Sequence, residues 1–193
     1  MKCKKQKPSF NKTYSKQKEF FGHSYQELQN YFYNYPKKGT LLDLGSGQGR
    51  DSLYLASIGY KVTSVDNSMV GICQTLIKSR KMGLKLKAIK ANVFNVQLEK
   101  KFDIILFDML LHAFKKTQQL ELLQKFSSYL KFNGVFCIIF PNDMKSSYFI
   151  ELLNSLPCKL KLIDELTIRD VPKLPEEKDN DFTFTMIVVK LSS

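Results

Sequence analysis

Side chains that hold metal ions are scarce in this chain. It has two histidines and four cysteines among 193 residues. Cys3, Cys73, Cys137 and Cys158 form no C-x-x-C pair. Zinc sites and dithiol redox motifs therefore lack their ligands, and the thiols read as reduced residues of a cytoplasmic protein. Long apolar runs are missing as well. The longest, Val135 to Phe140, has the length of a strand and falls far short of the roughly 20 residues of a membrane span. No apolar segment follows the N-terminal lysines, so no secretory signal is expected. Internal repeats and long linkers are also lacking.

Positive charge, by contrast, is abundant. The net charge is +12. Residues 1–40 hold nine lysines against Glu19 and Glu27, a net of +7. A basic arm of this kind can hold nucleic acid through counterion release, and residues 1–17 read as a flexible, solvated segment. The excess contains no arginine, the forked donor that specific phosphate and base contacts favour. The remainder, 18–193, is long enough for one domain with one substantial core.

A capping box, Ser24 with Glu27, predicts a helix carrying Leu28, Tyr31, Phe32 and Tyr35 on one face and stopped by Pro36. From there strands and helices alternate. Strands are expected at 40–44, 61–65, 86–90, 102–107 and 135–140. Helices are expected at 50–57, from Ser68 to Met82, at 117–130 with Asn133-Gly134 as the stop, and at 145–153. Two last strands, 159–166 and 182–190, flank a polar stretch, 170–181. Repeated strand–helix units imply a parallel sheet with helices on both faces. In such sheets ligands bind beyond the carboxyl ends of the strands.

The first strand runs into Asp43-Leu44-Gly45-Ser46-Gly47-Gln48-Gly49-Arg50. Its glycines permit a sharp turn and a close backbone approach, and the helix that follows offers free N–H groups to a polar ligand. A dinucleotide fingerprint would put its third glycine at position 50, where Arg50 stands, and the Walker pattern is absent. The second strand ends in Asp66, 17 residues after Gly49, where a carboxylate can accept both hydroxyls of a ribose.

The pattern D-x-G-x-G-x-G resembles the first motif of class I S-adenosylmethionine-dependent methyltransferases. The stretch Phe102-Asp103, with Asp108 and His112 beyond it, is similar to the tellurite-resistance-type and related small-molecule members. The resemblance implies a Rossmann-like three-layer α/β/α sandwich. Its mostly parallel seven-stranded sheet would have the order 3-2-1-4-5-7-6, with strand 7 antiparallel. Residues 18–193 would form a single methyltransferase domain with an N-terminal helical lid that includes Phe20, Phe21, His23 and Tyr25.

The same resemblance implies that S-adenosyl-L-methionine is held by Asp43, Gly45, Ser46, Gly47 and Gly49 at the turn. Asp66 and Asn67 would take the ribose, with Asn92 and Val93 at the adenine. Asn92 departs from the acidic residue usual there, though its oxygen can accept the same bond. Asp108 and His112 would face the cleft as the catalytic candidates, with Asp108 also contacting the donor, and His112 is favoured as general base because imidazole titrates near neutrality.

For the acceptor, the [DN]-P-P-[YF] motif of amino-group methylation is missing after Asp108, and Cys137 lies inside a strand, away from the place of a cytosine-methylating nucleophile. A small molecule is the leading expectation, with RNA or protein second. A nicotinamide-dependent oxidoreductase and a non-catalytic nucleic-acid-binding module are the competing classes.

Overall fold

The computed structural model describes residues 10–170 and 182–192. The polar stretch expected over 170–181 lies largely outside them. In chain order the elements are α1 (Phe10–Lys16), α2 (Gln26–Asn34), β1 (Thr40–Leu44), α3 (Arg50–Ser57), β2 (Lys61–Asp66), α4 (Met69–Lys81), β3 (Lys87–Lys90), β4 (Phe102–Asp108), α5 (Lys116–Ser127), β5 (Leu130–Pro141), α6 (Ser146–Asn154), β6 (Lys159–Asp170) and β7 (Phe182–Ser192). A single 3-10 turn, Leu111–Ala113, follows β4.

The seven strands form one sheet in the order β3-β2-β1-β4-β5-β7-β6. β3, β2, β1, β4 and β5 pair in parallel, and β7 runs antiparallel to both β5 and β6. This is the arrangement implied by the glycine-turn resemblance.

Strand alternation divides the core into two layers. Leu42, Leu44, Ile105, Phe107 and Ile138 face α5 and α6, where Leu122, Phe126, Phe149 and Leu152 meet them. Leu41, Val62, Ile104, Leu106 and Cys137 face the other way, toward Leu28 and Phe32 of α2 and Leu55 of α3. Each such fully buried Leu or Phe contributes about 1.5–3 kcal/mol through burial. The same alternation puts Asp43 on the side of Leu41, and Asp108 on the side of Ile104 and Leu106. Two carboxylates therefore point toward the α3 layer, which decides the character of the site.

Asp103 anchors the opposite rim. Its Oδ2 accepts from the Thr40 amide (2.8 Å), the Thr40 hydroxyl (2.7 Å) and Lys131 (2.8 Å). Burial would raise its pKa, but Lys131 and the Thr40 donors outweigh that and hold it below the usual carboxylate range.

Three local expectations are corrected. α2 begins at Gln26 with Tyr25 as its N-cap and no side-chain cap, so the Ser24–Glu27 box does not form. The cap falls one residue beyond Ser24, and Glu27 instead accepts from the Arg169 amide (3.2 Å). Secondly, α5 stops at Ser127, and Asn133-Gly134 lies inside β5. Asn133 adopts φ 60°, and a Cβ on Gly134 would stand 2.8 Å from the Lys131 carbonyl oxygen. The pair kinks the strand where its register against β4 shifts. Thirdly, within the segment expected as a flexible arm, residues 10–16 form α1, which is docked on α4, and Tyr14 is buried.

Candidate functional site

The turn after β1 is built from left-handed backbone. Gly45 has φ 73° and Gly47 φ 54°, values that side-chain-bearing residues adopt at a cost. Both glycines also lie against neighbours. A Cβ on Gly45 would stand 2.8 Å from Leu110 Cδ1, and one on Gly47 2.8 Å from the Tyr14 hydroxyl. The amides of Gly45 and Ser46 both donate to the Val65 carbonyl, at 2.8 and 3.2 Å, fastening the turn to the end of β2. Gly49 then serves as N-cap of α3.

Asp66, at the end of β2, reads this turn directly. Its Oδ2 accepts from the Gly47 amide (2.8 Å) and its Oδ1 from the Ser68 amide (2.6 Å). Burial raises its pKa, and those two bonds pull it back. Each carboxylate oxygen keeps acceptor capacity for a further donor. Asn67 beside it is exposed. After β3, Asn92 is exposed and its Oδ1 caps a turn by accepting from the Phe94 amide (3.0 Å). Val93 is absorbed in the core, while Phe94 is half-buried and packs edge-on against Phe114.

The α3 layer holds the strongest electrostatics. Asp43 is buried and accepts from Ser52 of α3 (2.5 Å), whose hydroxyl also lies 2.6 Å from that of Ser64. Burial, reinforced by the Asp51 charge, pushes Asp43 up to about 7. Arg50 forms ion pairs with Asp51 (3.1 Å) and with Asp108. The guanidinium carbon lies 4.1 Å from the centroid of the Tyr25 ring, a cation–π contact, and Nη1 reaches the Phe21 carbonyl (3.4 Å). Burial lifts Asp108 well above the usual range, with Arg50 opposing and the Asp51 charge adding to the rise. For Asp51 burial acts in the same direction, but Arg50 prevails and holds it down.

Three buried polar atoms at this end of the sheet have no hydrogen-bond partner among the described residues: Ser46 Oγ, Asp108 Oδ1 and His112 Nδ1. His112 sits on the 3-10 turn, and burial lowers its pKa while Asp143 opposes the shift. The sequence offers His112 and Asp108 as catalytic candidates and favours His112 as the base, whereas burial brings Asp43 to about 7 and raises Asp108 as well.

Residues 10–20 are clasped to the same turn. Asn11 Oδ1 accepts from the Ser68 hydroxyl (2.7 Å) at the start of α4. Gln48 donates to the Gln17 carbonyl (2.8 Å) and to Gln74 Oε1 (2.6 Å), and accepts from the Phe20 amide (2.8 Å). Gln74 in turn donates to the Tyr14 carbonyl (2.9 Å). Sequence reasoning missed Tyr14 and the Arg50–Asp51 pairing. The i, i+4 spacing of Phe10 and Tyr14 was the available signal for the first, and the adjacency of Arg50 and Asp51 to the glycine turn for the second.

Two recesses open on the surface. One of about 520 Å³, lined by Lys61, Arg80, Lys85 and Lys87 among others, lies at the amino ends of β2 and β3, away from the glycine turn. The other, of about 400 Å³, lies just after β5 and is lined by Asp143, Met144, Lys145, Ser147, Tyr148 and Glu151. The second lies beyond a strand's carboxyl end, and neither recess is lined by the glycine turn, Asp66, Asp108 or His112.

A family model described as a methyltransferase domain matches residues 36–181. The ubiquinone biosynthesis O-methyltransferase of Rickettsia prowazekii is 28 % identical over 123 residues, which is 63 % of this chain and 47 % of the relative. The chain thus spans about half the length of that curated relative. TehB of Haemophilus influenzae, a probable S-adenosyl-L-methionine-dependent methyltransferase, is 35 % identical over 65 residues, 34 % of this chain and 23 % of TehB. The TehB crystal structure gives a TM-score of 0.71 at 17 % identity, covering 94 % of this chain and 67 % of the TehB chain. The N-methyltransferase NodS of Bradyrhizobium japonicum, in complex with S-adenosyl-L-homocysteine, gives 0.71 at 12 % identity, covering 86 % of this chain and 85 % of NodS. At those identities the structural likeness is one of fold.

Proposed function

The chain belongs to the methyltransferase domain family, and on that premise we propose that it is an enzyme that moves the methyl group of S-adenosyl-L-methionine to a small-molecule acceptor. The observation that carries the reading is the Gly47–Asp66 contact between the β1 turn and the β2 carboxylate. Beside it, at the ends of β1 and β4, lie the unpartnered Ser46 Oγ and Asp108 Oδ1. Those features fit the donor: backbone close to the surface, a carboxylate with spare acceptor capacity, and an acidic layer suited to a cation.

In this reading Asp66 and Asn67 hold the ribose hydroxyls. Gly45, Ser46, Gly47 and Gly49 border the methionine part, with Asp43 buried behind them. Asn92 and the Phe94–Phe114 pair border the adenine, with Val93 supporting them from the core. The donor supplies an activated methyl group on a positively charged sulfur. The protein supplies orientation, exclusion of water and negative charge. Asp51 and Asp108 against the single guanidinium of Arg50 leave that layer one positive charge short when both carboxylates are ionised. Residues 10–25 act as a lid, held by Gln48 and Gln74, with Tyr14 packed beside Gly47.

His112 faces the acceptor side. The neighbouring recess of about 400 Å³ is within the range of small-molecule sites. The similarity to a ubiquinone biosynthesis O-methyltransferase supports an acceptor of that class. The scattered cysteines fit the cytoplasm. RNA or protein acceptors reached through the lysine arm are the second reading, resting on the net +7 of residues 1–40.

The test is transfer of tritium from methyl-labelled donor into separate metabolite, peptide and RNA pools. Label in the metabolite pool, lost in an Asp66→Ala variant, is the expected result. Label only in RNA or peptide would overturn the small-molecule assignment.

A further inference from the structure

The α3 layer contains three buried carboxylates, Asp43, Asp51 and Asp108, and one guanidinium. Asp51 is 5 % exposed, and the Asp108 side chain is 12 % exposed. Asp51 Oδ2 and Asp108 Oδ2 both accept from the same Arg50 nitrogen, Nη2, and no N–H or O–H among the described residues is directed at Asp108 Oδ1. Two buried carboxylates that share one guanidinium nitrogen need either a proton on one of them or an extra positive charge nearby.

Charged and titratable groups from four elements bear on Asp108. Arg50 and Asp51 lie on α3, Asp43 on β1, Tyr25 at the start of α2 and Cys137 on β5. Only Arg50 among them is a cation, and it is already shared with Asp51. Without a bound cation, the cluster is neutral when Arg50 is positive, Asp51 negative, and Asp43 and Asp108 protonated. With a sulfonium beside it, the cluster is neutral when Asp51 and Asp108 are ionised and Asp43 keeps its proton.

We propose that the Asp51–Asp108 pair is the proton acceptor of methyl transfer, taking up the acceptor's proton as the positive charge of the donor disappears. This inference rests on the methyltransferase reading and goes beyond it. In the step, the acceptor atom forms its bond to the methyl carbon. The sulfur–methyl bond breaks with its electron pair left on sulfur. The acceptor's X–H proton ends on Asp108. One positive and one negative charge vanish together, so the buried layer is neutral before and after. The arrangement makes an acidic side chain a base only while a charged donor is present, and so withholds it from other chemistry.

The test compares S-adenosylmethionine with S-adenosylhomocysteine, which differ in the methyl group and its charge. Isothermal titrations of the full chain at pH 6.5, in buffers of different ionisation enthalpy, count the protons exchanged on binding. Working below neutrality keeps the amino groups of both compounds protonated. S-adenosylmethionine should release close to one proton more than S-adenosylhomocysteine. Its Kd relative to that of the homocysteine compound should fall by up to about tenfold per pH unit between pH 5.5 and 7.

Asp108→Asn should erase the difference. A difference that persists in that variant would place the proton on Asp43 and overturn the proposal. If the variant binds neither compound, the two wild-type titrations decide alone. Equal proton exchange for both compounds would overturn the proposal and leave the methyltransferase reading standing. Absence of binding by both would overturn the methyltransferase reading, and the proposal with it.

Discussion

Replacing Arg50 by methionine removes a guanidinium and keeps most of its length. Asp51 and Asp108 are then left in the α3 layer without their counter-charge. Breaking a buried pair by deleting one partner costs about 3–5 kcal/mol, because the remaining charge is stranded. The stacking on Tyr25 is also lost. Against a total stability of roughly 5–15 kcal/mol for a folded domain, the loss is large but survivable.

The pH dependence separates this mechanism from simple loss of packing. In the wild type Arg50 holds Asp51 below its ordinary pKa, so that contribution is kept above about pH 4. In the variant the folded pKa of Asp51 rises above its unfolded value. Such a group favours folding at low pH, and that advantage is lost as pH rises through the folded value. The stability of the variant should therefore fall more steeply with pH than that of the wild type, by up to about 1.4 kcal/mol per pH unit. Urea unfolding followed by circular dichroism from pH 5 to 8 measures both quantities. A loss under about 1 kcal/mol, with parallel pH profiles, would refute the claim that Arg50 neutralises buried carboxylates.

Gly47→Val puts a β-branched residue at φ 54° with its Cβ 2.8 Å from the Tyr14 hydroxyl. The strain is about 1–3 kcal/mol, and S-adenosylhomocysteine affinity measured by calorimetry should fall at least about tenfold. Asp103→Ala removes four hydrogen bonds at the opposite rim, from the Thr40 amide and hydroxyl, Lys131 and Lys37. It should cost about 1–3 kcal/mol at pH 7 and leave that affinity unchanged. Because the Asp103 pKa is depressed, its contribution is present above about pH 4 and lost as pH falls below that, so the wild-type and variant unfolding curves should converge in acid.

Much of this fold could be read from the chain because its signals are local. The Gly45–Gly49 turn follows a strand directly, and Asp66 sits where the next strand ends, so spacing alone relates them. A continuous apolar run likewise marks a strand at 102–107, observed as Phe102–Asp108. Other features depended on tertiary partners. Asn133-Gly134 carries the chemistry of a helix stop, but β4 pairing recruits it into a strand. Ser24 and Glu27 have the spacing of a capping box, yet Tyr25, buried against Arg50, sets the start of α2. The site was legible in its glycines and in Asp66. Its acidic layer was not, because the convergence of Asp51 and Asp108 on Arg50 depends on strand alternation and on the placement of α3. Docking of α1 was hidden by its lysines, which turn outward while Tyr14 packs inward.

Binding of S-adenosylhomocysteine to the purified full chain, measured by calorimetry beside NAD, bears most directly on the glycine turn as a nucleoside site. A one-to-one complex with the homocysteine compound and no heat with NAD is the predicted result. Tight binding of NAD, or no binding of the homocysteine compound by folded protein, would contradict it.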